Sequence, residues 1–292
     1  MTIESQIPAS EDELRLSRFY GAMTSLDSIV AAITSQGLDV GQLKATDLYT
    51  RGLDCHNLGG YAQLEGIGVA VAGIDAPVAE DTVLDVGCGL GGPSRFIADR
   101  FGCRVVGVDL LPVRIDAARA LAEMTGSTDR VDNRVADAVA LPFEAARFAQ
   151  VWMMDASIHV RDKAALFGEI ARVLRPGGLL VLHDQMGPLP RAMSPAKRAA
   201  PYLAPSLTQF IRIVESAGFR LLLWQDTTEQ VLEYFHNRRQ LAATFDVSSI
   251  GGPDGQRARH GLALLAGYVK TLESPAGRTG ILIAAEGRGL RR

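Results

Sequence analysis

Cysteine is scarce. The chain has 292 residues and three cysteines, and Cys55, Cys88 and Cys103 stand far apart, with no Cys-x-x-Cys pair. That excludes a disulfide framework and a zinc knuckle, fits a reducing compartment, and gives no support for a metal site. An excess of one charge is also missing. Thirty Lys and Arg stand against 33 Asp and Glu, for a net charge of −3, so no long-range field gathers nucleic acid or an anionic membrane. Long apolar runs are absent too: stretches such as Gly178–Leu182 are strand-sized, well short of the ~20 residues a spanning helix needs. Met1–Leu16 is polar and acidic and lacks the basic start and apolar centre of a secretory signal, so the expected location is cytoplasmic. No internal repeat and no low-complexity segment stands out.

What is present is ordinary for a soluble globular enzyme, with 47% hydrophobic and 22% charged residues. Residues 1 to about 10 read as a disordered tail. Leu14, Phe19, Met23, Leu26, Ile29, Val30 and Ile33 fall at helical spacings and predict a helix over 11–35, with another over 61–73. From Thr82 a strand–helix alternation sets in. Strands are expected at 82–87, 104–109, 132–136, 148–154, 178–184 and 219–225, and helices at 92–101, 113–125, 163–174 and 207–218. Beyond 226 two helices, 228–245 and 255–272, precede a final strand at 280–285. The pattern predicts an α/β fold with an open, doubly wound, mostly parallel seven-stranded sheet of Rossmann-like type. The expected division is an N-terminal helical cap over 1–75, a nucleotide-binding core over 76–226, and a helical insertion or lid over 227–292 that ends in an antiparallel edge strand.

The richest stretch is Val83-Leu84-Asp85-Val86-Gly87-Cys88-Gly89-Leu90-Gly91-Gly92-Pro93. It reads as a buried strand, a glycine turn and a helix start, an arrangement that lets backbone approach a nucleotide-like ligand. Gly87, Gly89 and Gly92 satisfy Gly-x-Gly-x-x-Gly, and Asp109 follows about 20 residues on, which is also the dinucleotide fingerprint. The surrounding residues point elsewhere. Asp85, just before the turn, would repel a pyrophosphate and attract an ammonium or sulfonium. Pro93 limits how the helix start offers amides to a phosphate. Asp137-Ala138 after the third strand suits an adenine amino group and ring face, and Asp109 suits a ribose diol. A ligand with an amine, a diol and a base, and no phosphate, is S-adenosylmethionine.

On these residues the chain resembles the class I S-adenosylmethionine-dependent methyltransferases. The matching segments are VLDVGCGLGG (83–92), VVGVDL (105–110), ADAVALPF (136–143) and VLRPGGLLVLHD (173–184). Within that class it looks most like small-molecule methyltransferases of the sarcosine/dimethylglycine and sugar or natural-product type, through Leu53–Gly60 and the segment from Pro205 to Phe219. The resemblance implies a cofactor site built from Asp85, Gly87, Cys88, Gly89, Asp109, Leu110, Asp137, Ala138, Met154 and Gly60, with S-adenosylhomocysteine as product. Cys88 reads as a small filler rather than a nucleophile.

Methyl transfer from a sulfonium is intrinsically downhill, so the protein must align the reactants, exclude water and at times remove a proton. Strand four runs into Asp155-Ala156-Ser157-Ile158-His159 and strand five into His183-Asp184. By resemblance, His159 is the expected base, with Asp184 as its orienting carboxylate; the plainer role for His159 is packing the loop before Asp162. Asp155 suits a cationic substrate, or a cationic intermediate on carbon. The expected activity is methyl transfer to oxygen or nitrogen of a small metabolite or natural product. The alternative is C-methylation of an isoprenoid or aromatic, with Asp155 stabilising the cation, with or without cyclisation. A nicotinamide oxidoreductase conflicts with Asp85 and Asp137. A cofactor-binding regulator without turnover shares every motif. Nucleic acid and membrane are not expected as partners, while a homo-oligomer is compatible with this composition. His56, Tyr20 and Tyr49 are expected in the cap. Trp224, Tyr234, Phe235, His236, Phe245 and Tyr268 are expected as helix-to-sheet core or as an aromatic lid.

Overall fold

A computed structural model describes Leu16, Ser17, Tyr20 and residues 25–187, 205–243, 266, 269–270, 272–273 and 277–287. The expected N-terminal tail, most of the helix expected over 255–272, and Phe245 and Tyr268 lie outside the described residues.

The central strands carry apolar side chains on both faces, as a sheet covered on two sides requires, while the edge strand Val131–Val135 exposes Asp132 and Arg134. The strands are β1 (Thr82–Val86), β2 (Arg104–Asp109), β3 (Val131–Val135), β4 (Phe148–Met154), β5 (Leu174–Met186), β6 (Phe219–Asp226) and β7 (Arg278–Glu286). They form one seven-stranded sheet in the order β3-β2-β1-β4-β5-β7-β6. β1, β2, β3, β4 and β5 pair in parallel, and β7 pairs antiparallel with both β5 and β6. The expected edge position of the last strand is therefore wrong. β7 inserts between β5 and β6, where Ile281, Leu282, Ile283 and Ala284 are at most 1% exposed; a strand this apolar on both faces belongs inside the sheet.

The helices are α1 (Leu26–Ser35), α2 (Ala45–Tyr49), α3 (Gly60–Ala72), α4 (Gly92–Phe101), α5 (Pro112–Met124), α6 (Lys163–Val173), α7 (Leu207–Ser216) and α8 (Thr228–Ala243). The single helix expected over 11–35 does not run through. Ser25 is extended (φ −107°, ψ 163°) and forms a capping box with Ser28, which gives α1 a fresh start at Leu26.

Alternation along the strands divides the core into two layers. On one face Leu84, Leu180, Leu182 and Leu282 pack with Phe167 and Ile170 of α6 and Phe210 of α7. On the other, Val83, Trp152, Val181 and Ile283 pack with Leu64 and Ile67 of α3 and Phe96 of α4. Helix α3, expected within the cap, is thus a full layer of the sheet's core. Burying each such side chain contributes about 1.5–3 kcal/mol. A third cluster joins Ile29 and Ile33 of α1 to Leu121 of α5 and Leu90 of the glycine turn, which sets the N-terminal segment over the carboxyl ends of the strands.

Candidate active site

Strand order reverses between β1 and β4, so the connections after these strands diverge and open a crevice at their carboxyl ends. A cavity of about 410 Å³ lies there. Its walls come from the turn after β1, the tips of β2 and β4, the segment after β3, the short 3-10 turn Ser157–His159, the loop around Asp54–Asn57, and Leu16 and Tyr20 from the N-terminal segment.

The glycine turn fits a ligand that approaches backbone. Gly87 and Gly89 have φ of 76° and 56°, a region in which side chains are strained. A Cβ on Gly87 would collide with Ala156, and one on Gly89 with the Arg114 guanidinium. The Gly87 and Cys88 amides donate to the Val108 carbonyl at 2.8 and 2.9 Å, binding the turn to the end of β2. Two more amides fix Asp109: Gly89 N–H donates to Oδ2 and Leu111 N–H to Oδ1, both at 3.0 Å. Each carboxylate oxygen keeps a lone pair for a ligand hydroxyl. Asp137 stands on the far rim, exposed, its Oδ1 accepting from Val139 N–H at 3.1 Å. Leu110, Ala138 and Met154 also line the cavity.

Asp85 is not in the cavity wall. It lies on the strand face covered by α4, where its Oδ2 accepts from the Ser94 hydroxyl at 2.6 Å, and Oδ1 meets no donor among the described residues. Burial pushes its carboxyl up to about 7; the Ser94 hydrogen bond opposes this and the Asp109 charge adds to it. Asp85 thus stands behind the turn, where its carboxyl is held by Ser94 of α4. Gly60 is likewise away from the cavity and packs against the Tyr234 ring. The Cys88 thiol is buried, held well above its ordinary range by desolvation, and stays an inert filler.

Period two also corrects the expected His159–Asp184 pair. Asp184 points to the layer of Leu182 and Met186, where it accepts from Gln185 N–H at 2.8 Å. Burial, with the Asp155 charge adding, pushes its carboxyl up, while Lys163 opposes the shift. Burial pushes the Lys163 ammonium down; this group donates to the Ser157 and Val160 carbonyls and so holds the 3-10 turn. His159 meets Tyr20 instead, with Nε2 2.7 Å from the phenol oxygen.

His183, on the opposite face from Asp184, is the partner of Asp155. Its Nδ1 lies 3.0 Å from Asp155 Oδ1 and its Nε2 3.0 Å from Thr227 Oγ1, which reaches Thr279 Oγ1 at 3.2 Å. Asp155 Oδ2 accepts from Leu58 N–H at 2.7 Å. The loop carrying Leu58 is pinned by a fully buried ion pair, Arg95 Nη2 to Asp54 Oδ2 at 2.7 Å, and Arg95 also donates to Leu90 O. Sequence reasoning missed His183, Arg95 and Arg114. Of these, Arg114 leaves a signal: a cation in the first turn of α5 opposes the helix dipole and asks for another reason to be there.

Of the cap residues, Tyr20 and His56 line the cavity. Tyr49 packs between Tyr61 and Phe96, its hydroxyl donating to Asp99 at 3.2 Å. Trp224, on β6, and Tyr234, Phe235 and His236, on α8, do not line the cavity; Phe235 packs with Leu58, Val231, Val269 and Leu272.

Residues 83–178 match the family model described as a methyltransferase domain. Over those residues this chain carries a methyltransferase domain. A probable tocopherol O-methyltransferase of Oryza sativa subsp. japonica is 32% identical over 184 residues, covering 59% of this chain and 51% of the relative. A methyltransferase of Streptomyces halstedii is 34% identical over 155 residues, covering 51% and 56%. The chain thus spans about half the length of these curated relatives. A geranyl diphosphate methyltransferase solved with S-adenosylmethionine superimposes with a TM-score of 0.61 at 25% identity, covering 77% of this chain and 84% of that one. The matched methyltransferase domain holds the glycine turn, Asp109, Asp137, Asp155 and His159. The Asp54–Leu58 loop, Tyr20 and His183 lie outside it and complete the cavity and its back wall.

Proposed function

We propose that this protein binds S-adenosylmethionine in the 410 Å³ cavity and transfers its methyl group to an oxygen or nitrogen of a small molecule. The observation that carries the reading is the placement around one cavity of a left-handed glycine turn, an amide-fixed Asp109 and Asp137, all inside the matched domain. Gly87 and Gly89 admit ligand atoms against backbone, Asp109 accepts from a ribose diol, and Asp137 with Ala138 takes the base.

S-adenosylmethionine, when bound, supplies an electrophilic methyl carbon on a sulfonium. The residues of this chain hold the acceptor in line with it and exclude water, with Leu16 and Tyr20 over the opening. His159 is the group that removes a proton: it lines the cavity at the 3-10 turn after β4. Tyr20 orients the His159 ring through Nε2. Among the described residues no helix is long and apolar enough to cross a membrane, so nothing in them obstructs a diffusible substrate.

Parallel calorimetric titrations with S-adenosylmethionine, S-adenosylhomocysteine and NADH test the reading. Micromolar binding of the first two without NADH is the expected result. Binding of NADH alone would replace the methyltransferase reading with an oxidoreductase one. Turnover with a methyl-labelled cofactor, followed by mapping of the labelled position, then separates oxygen and nitrogen acceptors from carbon.

A further inference from the structure

Arg114 is a buried cation in the cavity wall that meets no anion among the described residues. Its residue is 7% exposed and lines the cavity. One guanidinium nitrogen, Nη2, donates to His56 Nδ1 at 2.9 Å; the other, Nη1, is fully covered and meets no acceptor among the described residues. Burial and the Arg114 charge lower His56 to about 3, so the imidazole is a neutral acceptor and does not balance the charge. The Tyr20 ring lies 4.5 Å from the guanidinium carbon and covers one face of it. The acids that line the cavity have other partners: Asp54 pairs with Arg95, Asp155 with His183 and Leu58 N–H, Asp109 with two backbone amides, Asp137 with Val139 N–H and Asp162 with Ala165 N–H. A buried charge left unpaired costs several kcal/mol, and the planar fork of arginine matches a carboxylate.

We infer that Arg114 is the anion-binding group of this cavity and takes a carboxylate, with Tyr20 and His56 fixing the fork. The guanidinium stands over Gly89, whose N–H donates to Asp109 Oδ2, so the amino-acid tail of a nucleoside whose ribose is held at Asp109 would pass within its reach. The carboxylate therefore has two sources, the amino-acid end of the cofactor or an acidic second ligand. Only the first source rests on the cofactor reading above.

The test uses the full chain, wild type, Arg114→Gln and Arg114→Lys, titrated with S-adenosylhomocysteine and with 5′-methylthioadenosine, which lacks the amino-acid tail. Benzoate is titrated in a separate arm against the free and the S-adenosylhomocysteine-loaded proteins. With the cofactor as source, Arg114→Gln weakens S-adenosylhomocysteine by about 10- to 100-fold, leaves methylthioadenosine within about threefold, and Arg114→Lys recovers part of the loss. Unchanged methylthioadenosine binding also reports that the variants fold. With a second ligand as source, both nucleosides bind unchanged and millimolar benzoate binds the loaded wild type but not Arg114→Gln. Equal loss of both nucleosides, or no dependence of either nucleoside or benzoate on Arg114, overturns the inference. Should wild type bind neither nucleoside, the cofactor reading fails, and Arg114-dependent benzoate binding to the free protein then decides the anion site alone.

Discussion

Nδ1 of His183 lies 3.0 Å from Oδ1 of Asp155, a residue held at φ +54°. Left-handed backbone costs a non-glycine residue of order 1–3 kcal/mol, least for Asp and Asn. Asp155 keeps it because three hydrogen bonds converge there: Leu58 N–H to Oδ2, His183 to Oδ1, and its own N–H to His183 O, the last at 2.7 Å. A carboxylate only accepts, so Nδ1 carries the proton and Nε2 faces the Thr227 hydroxyl. The chain links the tip of β4 to the start of α8 and to β7.

Asp155→Ala and His183→Ala are each expected to destabilise the protein by about 2–4 kcal/mol, since each leaves a buried polar partner unsatisfied. A double-mutant cycle in urea should return a coupling of at least about 1 kcal/mol. Asp155→Asn, which tolerates the left-handed conformation, should lose less than Asp155→Ala. Additive single losses would mean the two side chains are neighbours without mutual support.

Asp85 sets a pH dependence of stability. Its folded-state pKa of about 7 lies above its ordinary 3.8, so the native state holds a proton that the unfolded chain releases. Stability from this group is full below its unfolded value of 3.8 and is lost as pH rises from there to about 7, by up to about 4 kcal/mol. Asp85→Asn keeps an acceptor for Ser94 and removes the ionisation. Denaturant titrations at pH 5 and pH 8 should show a smaller loss of stability for the variant than for wild type. Equal losses would place the titration elsewhere, with buried Asp184 the next group to examine.

The sheet was legible before any coordinates because β-branched runs bounded by turn residues repeat from Thr82 onward, and six of the seven strands began within about two residues of their expected starts. β5 started earlier, at Leu174, because Arg175-Pro176-Gly177-Gly178 reads as a stop and the pairing Phe148↔Leu174 that overrides it belongs to the sheet as a whole. The position of β7 was hidden for a related reason. Its apolar pattern announces burial, but which neighbours bury it depends on where the chain returns after α8. The placement of Asp109 and Asp137 beside the cavity was readable because one ends β2 and the other follows β3 by two residues. The Asp155–His183 pair was not. Two adjacent residues, His183 and Asp184, are equally polar in sequence, and only the phase of β5 against its helices decides which one turns toward Asp155.

Asp109→Ala is expected to weaken S-adenosylmethionine binding by about 10-fold or more, the loss of charge-assisted hydrogen bonds to a diol. The Gly89 and Leu111 amides lose their acceptor in the same variant, so calorimetry should be paired with Asp109→Asn, which preserves an acceptor for the turn. Unchanged affinity in both variants would remove the ribose assignment.

His159 and Tyr20 separate binding from chemistry. The Nε2 to phenol contact of 2.7 Å ties the proposed base to Tyr20, which also lines the cavity, so the orientation of the base depends on this hydrogen bond. His159→Ala should keep cofactor affinity and slow turnover by about 100-fold or more. Tyr20→Phe retains the ring over Arg114 and loses only the hydroxyl, so its cost should fall on kcat, and less severely than for His159→Ala. Both are read from single-turnover rates at saturating cofactor, once an acceptor has been found by screening with the labelled methyl donor. A His159→Ala enzyme with the wild-type rate would leave alignment as the whole of the catalysis, as a downhill methyl transfer allows when the acceptor is already deprotonated.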